Sequence, residues 1–117
     1  HKLKNYSDYI NFPNYNEYNL YSYHLTIISL NLKNLSKNKI QFLKYLKNNK
    51  IIAQQNYIPI YKFKVFDKKI KNNIASEYYY KHALSLPIFT ELTKKKHNLI
   101  INIIGKFLDK YKKTIKS

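Results

Sequence analysis

The side chains able to do acid–base, nucleophilic or metal chemistry are few in this chain, and they do not fall into groups. The four histidines are His1, His24, His82 and His97. No two of them stand at i, i+4 on one helix, and no carboxylate pair joins them at ligand spacing. That argues against a zinc site. The six carboxylates form no evident close pair, so glycosidase-type chemistry, which needs two flanking one bond, has little support. The absence of cysteine excludes disulfides, thiolate metal sites and a cysteine nucleophile. The single glycine, Gly105, stands inside an apolar-periodic run, so no glycine-rich phosphate loop is present. Ser85 lies between Leu84 and Leu86 with no base indicated beside it, and reads as structural. Asn56, Tyr57 and Tyr61 lie beside Pro59, where the chain must leave a strand. An asparagine amide both donates and accepts hydrogen bonds, but it does not titrate near neutrality. His24 falls in a strand-like run with one apolar face. It reads as a half-buried, hydrogen-bonded histidine, or alternatively as one facing a domain junction.

The elements that must position these residues follow from the apolar pattern. Tyr21 to Leu30 alternates like a strand, and its second half carries apolar groups on both faces. Ser36 is placed to cap a helix whose stripe is Ile40, Leu43 and Leu46 and which ends near Asn48-Asn49. Ile51 to Tyr57 reads as a second strand, stopped by Pro59, which has no ladder donor. Lys62 to Asn72 reads as a loop. Asn72 or Asn73 can cap a short helix running to His82, and Leu84-Ser85-Leu86-Pro87 then crosses as an extended segment. Thr93 caps the last helix, in which Ile100, Ile104, Phe107, Leu108 and Tyr111 recur on one face. The resulting class is α+β: a small antiparallel or mixed sheet with helices packed on it. Residues 1–20, rich in asparagine and tyrosine, read as an irregular lead-in, and residues 21–117 as one domain. The Tyr78-Tyr79-Tyr80 run reads as placing one or two rings on the core and leaving the rest exposed, with stacking on a nucleotide base left open.

Length and composition set outer limits. The chain has 117 residues, enough for one compact domain. No apolar run approaches the roughly 18 to 20 residues needed to cross a bilayer, and the N-terminus lacks the apolar core of a signal peptide. The formal charge is +16, yet all 22 basic residues are lysine. Lysine, asparagine, isoleucine and tyrosine are abundant together, and all have AT-rich codons. Codon drift therefore accounts for the charge without a nucleic-acid partner. Arginine, the preferred residue for bidentate phosphate and guanine contacts, is missing.

Several short motifs occur in a fixed order. Ser22-Tyr23-His24-Leu25 precedes Thr26-Ile27-Ile28. Asn56-Tyr57-Ile58-Pro59-Ile60-Tyr61 follows the first helix. Glu77-Tyr78-Tyr79 leads into Ala83-Leu84-Ser85-Leu86-Pro87-Ile88-Phe89 and then Leu92-Thr93. In this order, from about Ser22 to about Tyr111, they resemble the C-terminal small domain of the DegT/DnrJ/EryC1 sugar-nucleotide aminotransferases, fold-type-I enzymes that use pyridoxal phosphate. Asn56 stands where that family usually has histidine, and Thr90 where proline is common.

The resemblance implies a parent enzyme that transfers an amino group, with glutamate as donor, to a nucleotide-linked keto sugar in surface polysaccharide synthesis. It implies that pyridoxal phosphate and the lysine that holds it belong to a large domain, so the expectation is a cytoplasmic fragment that is inactive alone and binds no cofactor. The lack of any methionine fits that expectation. The implied partners are the large domain, a second copy of the parent chain and the nucleotide sugar, with no membrane. The resemblance places Asn56, Tyr57, Tyr61 and His24 on the substrate side, and implies no catalytic, cofactor or metal residue. Two rival readings remain: a lysine-rich nucleic-acid-binding module, and a non-catalytic structural domain of a divergent relative.

Overall fold

The structure is a computed structural model that describes residues 3–13, 24–65 and 73–114. Its sheet is built around one central strand. β1 (Ile10–Asn11), β2 (Thr26–Leu30) and β3 (Ala83–Leu86) lie in the order β1-β2-β3. Both pairings are antiparallel. Ile10 faces Leu30 across the first, and Thr26, Ile27, Ile28 and Ser29 face Leu86, Ser85, Leu84 and Ala83 across the second. Period-2 alternation sends Ile28 and Leu30 into the core, while Ile27 and Ser29 are half-buried on the other face. The fold is the expected α+β arrangement, with the sheet purely antiparallel among the described residues. Tyr21 to Tyr23, the first part of the expected strand, lie outside the described residues.

Among the described residues three α-helices accompany the sheet: α1 (Lys39–Asn48), α2 (Ile74–His82) and α3 (Lys94–Tyr111). α1 starts at Asn38, whose side chain accepts from the Gln41 backbone while the Gln41 side chain accepts from the Asn38 backbone. The expected cap, Ser36, is used elsewhere: its backbone N–H and Oγ both donate to the Tyr111 carbonyl at the end of α3. The buried line of α1 also differs from the expected Ile40–Leu43–Leu46 stripe. Leu46 is buried as expected and Leu43 packs half-buried against the core, but Ile40 is 71% exposed and Phe42 is buried in its place. Phe42 is the bulkier anchor at i, i+4 spacing, and it meets Phe107 of α3 at 4.7 Å. That ring contact sets the rotation of the helix.

α1 ends in a Schellman motif. The Ile51 N–H reaches the Leu46 carbonyl, the Lys50 N–H reaches that of Lys47, and Lys50 takes φ 61. Leu46 and Ile51 are both buried beside this turn. The second strand expected over Ile51 to Tyr57 does not form. Gln54 exchanges two backbone hydrogen bonds with Ser85 as an isolated bridge, and the pairing goes no further. Gln54 and Gln55 are both exposed, so period-2 burial breaks there.

α2 is capped by Asn73, whose side chain accepts from the Ser76 N–H, and it passes directly into β3 with no intervening loop. Thr93 caps α3, and Ile103, Ile104, Phe107 and Leu108 bury its inner face. Tyr45 and Tyr111 flank Phe107 with ring centroids at 5.0 and 4.7 Å. In the described part of the lead-in, Leu3 and Ile10 join the core, and the Tyr6 hydroxyl donates to Asp109 at 2.8 Å. Residues 14–20 lie outside the described residues.

Candidate functional site

The chain between Gln54 and Lys62 determines where the expected site residues go. Asn56 turns inward. It is 4% exposed, and its side-chain oxygen accepts from Ser85 Oγ at 3.2 Å. Ser85 is buried on β3, so both members of this pair are committed to the interior. The Asn56–Tyr57 peptide is cis, and Tyr57 stands 72% exposed. His24 is exposed two residues before β2. Beyond the buried Pro59, a 3-10 turn over Ile60–Lys62 swings two side chains onto α2.

Those two side chains share one carboxylate. The Tyr61 hydroxyl donates to Glu77 Oε1 at 2.9 Å, and Lys62 Nζ donates to Glu77 Oε2 at 2.9 Å. The Tyr61 oxygen also lies 3.4 Å from the Asn73 carbonyl at the start of α2. Lys62 and Tyr61 hold the Glu77 carboxyl below its ordinary value. Partial burial and the Glu77 contact hold the Tyr61 phenol above its ordinary value. Tyr61 is therefore a protonated, oriented hydroxyl with an open lone pair, which suits it to binding a polar group and not to taking up protons at neutral pH.

A second cation sits behind this set. Lys39, the first residue of α1, is 4% exposed. Its amine donates to the carbonyls of Tyr80 and Ala83. The Tyr80 ring lies between the two lysines, with Lys39 Nζ at 5.0 Å and Lys62 Nζ at 4.8 Å from its centroid. Burial lowers the Lys39 amine to about 8.

Of the expected residues, the structure thus leaves Tyr61 in a polar surface set, Asn56 inside, Tyr57 on the outside and His24 exposed ahead of β2. It adds Lys62, Glu77, Tyr80 and Lys39. Lys62 and Glu77 are 15 residues apart, beyond the range of any helix or strand spacing. Lys39 is one of 22 lysines with nothing local to mark it.

Two further surfaces lie outside this set. Ile52, Ile58, Ile60, Phe63, Val65 and Ile74 are exposed apolar side chains on the 52–65 stretch and the first turn of α2. A cavity of about 660 Å3 opens between residues 3–12, the end of β3 and α3, walled mainly by apolar groups such as Ile10, Leu86 and Ile100.

Membership of an enzyme family can now be stated from sequence comparison. The profile of the DegT/DnrJ/EryC1/StrS aminotransferase family matches residues 2–105. The chain belongs to this family. The match runs from the lead-in through all three strands into α3, and it includes Lys39, Tyr61, Lys62 and Glu77. No curated protein matches the chain.

Aminotransferases of this family are pyridoxal-phosphate enzymes. The described residues do not fit that cofactor. The one glycine lies within α3, so the described residues contain no glycine-rich phosphate loop. The buried amine of Lys39 is held by two carbonyls, and no carboxylate is placed beside it to pair with a pyridinium nitrogen. No group of three or more His, Cys, Asp or Glu able to hold a metal occurs among the described residues. No helix among them is long and apolar enough to cross a membrane.

Proposed function

We propose that this chain serves as the small domain of a pyridoxal-phosphate-dependent aminotransferase acting on a nucleotide-linked keto sugar, within cytoplasmic synthesis of a surface polysaccharide. Cofactor and catalytic lysine would come from a large domain, so the chain alone would be inactive, and the intact enzyme would be a homodimer. The observation that carries this reading is the Tyr61–Lys62–Glu77 set standing beside an exposed apolar strip, in a chain of this family. The strip offers a surface for the large domain. The set offers an oriented hydroxyl and a cation at its edge, which suit a polar, anionic substrate.

In this reading Tyr61 binds and orients the substrate, Glu77 holds Tyr61, and Lys62 balances Glu77. Asn56 supports the segment from inside through Ser85. The test is an NMR titration of the chain with a uridine diphosphate sugar. Without the large domain, binding should be weak, on the order of millimolar, with shifts centred on Tyr61, Lys62 and Glu77. Shifts that avoid these residues at saturating ligand would refute the placement. A short DNA duplex that moves the same residues and persists at roughly physiological salt would favour a nucleic-acid module instead.

A further inference from the structure

α2 ends in an unusual way. A helix leaves its last four carbonyls without internal partners, and the usual remedy is a left-handed glycine or asparagine just past the end. The chain here runs His82-Ala83-Leu84 straight into β3, with Ala83 extended at φ −84, ψ 147. Ala83 is buried and committed to the sheet, so no local turn can fold back to cap the helix. Local donors cover only part of the need. The Ala83 N–H takes the Tyr79 carbonyl, and the His82 ring lies 2.7 Å from that of Tyr78. The Tyr80 carbonyl is met from another helix, by the amine of Lys39, which also reaches the Ala83 carbonyl at 3.3 Å. A cation at a helix C-terminus is favoured by the helix dipole as well.

We infer that Lys39 is a positioning residue: it supplies from α1 the missing cap of α2, and so fixes Tyr80 and, through Tyr80, the Lys62–Glu77–Tyr61 set at the proposed substrate edge. The link is physical at each step. The Lys39 amine is bonded to the Tyr80 backbone and lies near the Tyr80 ring. The same ring lies 4.8 Å from Lys62 Nζ, and Lys62 and Tyr61 share the two oxygens of Glu77. Burial of a lysine amine is costly unless its donors are used. Here two carbonyls and a ring face use them, and no buried polar side-chain atom among the described residues lacks a partner. The inference depends on the proposed function only for the use to which Tyr61 is put.

The test therefore reads the set with no substrate present. Glu77 is labelled at its side-chain carboxyl and titrated by NMR in the wild-type chain, in Lys39→Met and in Tyr80→Leu. Methionine keeps the unbranched stem of lysine without its amine and donates nothing, and Tyr80→Leu removes the shared ring while leaving the Lys39–carbonyl bonds available. Ile103→Ala, a core truncation on α3, controls for loss of stability alone. In both Lys39→Met and Tyr80→Leu, the Glu77 midpoint should rise toward that of an ordinary glutamate, and amide exchange should quicken at the C-terminal turn of α2 in Lys39→Met. Ile103→Ala should leave the Glu77 midpoint where it is. Should Lys39→Met not fold, Tyr80→Leu decides, because Tyr80 is only half-buried. A wild-type Glu77 midpoint in folded Lys39→Met or in Tyr80→Leu would overturn the inference. So would an equal shift in Ile103→Ala. If the inference failed in this way, the nucleotide-sugar titration would still stand on its own result.

Discussion

Where α1 meets α3, Phe42 and Phe107 lie 4.7 Å apart, and Tyr45 and Tyr111 close around them. Where α2 meets residues 56–65, the joint is Tyr61, Lys62 and Glu77, with Lys39 behind Tyr80. The first junction is joined by large apolar side chains, with Phe42 and Phe107 fully buried. The second is joined by polar groups while Val65 and Ile74 stand 90% and 88% exposed. Apolar burial is the main source of stability, so leaving these side chains outside forgoes some of it. α1 and α3 thus meet through core packing that also takes in Ile28, Leu30 and Leu84 of the sheet, whereas the α2 side leaves large apolar side chains at the surface.

The comparison can be broken most easily at the aromatic junction. Phe107→Ala removes the ring that touches Phe42, Tyr45 and Tyr111. It should cost about 3–5 kcal/mol, the usual range for a buried phenylalanine, a large fraction of the stability of a domain this small. Urea denaturation followed by circular dichroism measures it. A loss near that of a surface substitution would show that the core is not centred there.

Asn56→Ala tests the seam between the two regions. It leaves Ser85 Oγ buried without the Asn56 acceptor, at a cost of about 1–3 kcal/mol. The loss should appear in denaturation while α1 and α3 keep their slow amide exchange. A neutral result would mean that the Asn56–Ser85 hydrogen bond is not maintained in solution.

The smallest effect sharpens the contrast through pH. The Glu77 carboxyl is held low by Lys62 and Tyr61, and the Asp109 carboxyl by Tyr6 and Lys112. A depressed carboxyl contributes stability that is present above its unfolded value and lost as pH falls through its folded value. Acid should therefore weaken both contacts below the ordinary carboxylate values of 4.5 and 3.8. Glu77→Gln should remove the part of this acid loss that is felt at α2, and Asp109→Asn the part felt between residues 3–13 and α3. Lys39 acts at the other end of the scale. Between about 8 and its ordinary 10.5, the unfolded chain holds a proton that the folded chain has released, so this group makes stability rise with pH across that window. Thermal melts from pH 3 to 10 on the wild type and the two carboxyl variants would show both trends.

Much of this molecule is legible in its sequence, for identifiable reasons. The inner face of α3 could be read because Ile104, Phe107 and Leu108 recur at helical spacing and nothing overrides them. The caps at Asn73 and Thr93 could be read because capping is local chemistry. The family resemblance rested on the order of short motifs, and the match over residues 2–105 agrees with it. The rotation of α1 could not be read locally, because Phe107 lies far along the chain and decides it. The strand expected at Ile51 to Tyr57 failed because only Gln54 finds a backbone partner in β3. At the site, Tyr61 was among the expected residues, but Glu77 and Lys39 come to it through tertiary contacts that no spacing announces.

The proposed function makes this chain the part of an aminotransferase that shapes the substrate edge while a large domain holds the cofactor. The direct measurement is to titrate the chain with pyridoxal phosphate, reduce with borohydride and map the labelled lysines by mass spectrometry. With 22 lysines in the chain, the account predicts scattered, substoichiometric labelling of exposed lysines, with Lys39 spared and no transaminase activity. Stoichiometric labelling of one lysine, Lys39 above all, accompanied by amino-group transfer, would contradict it.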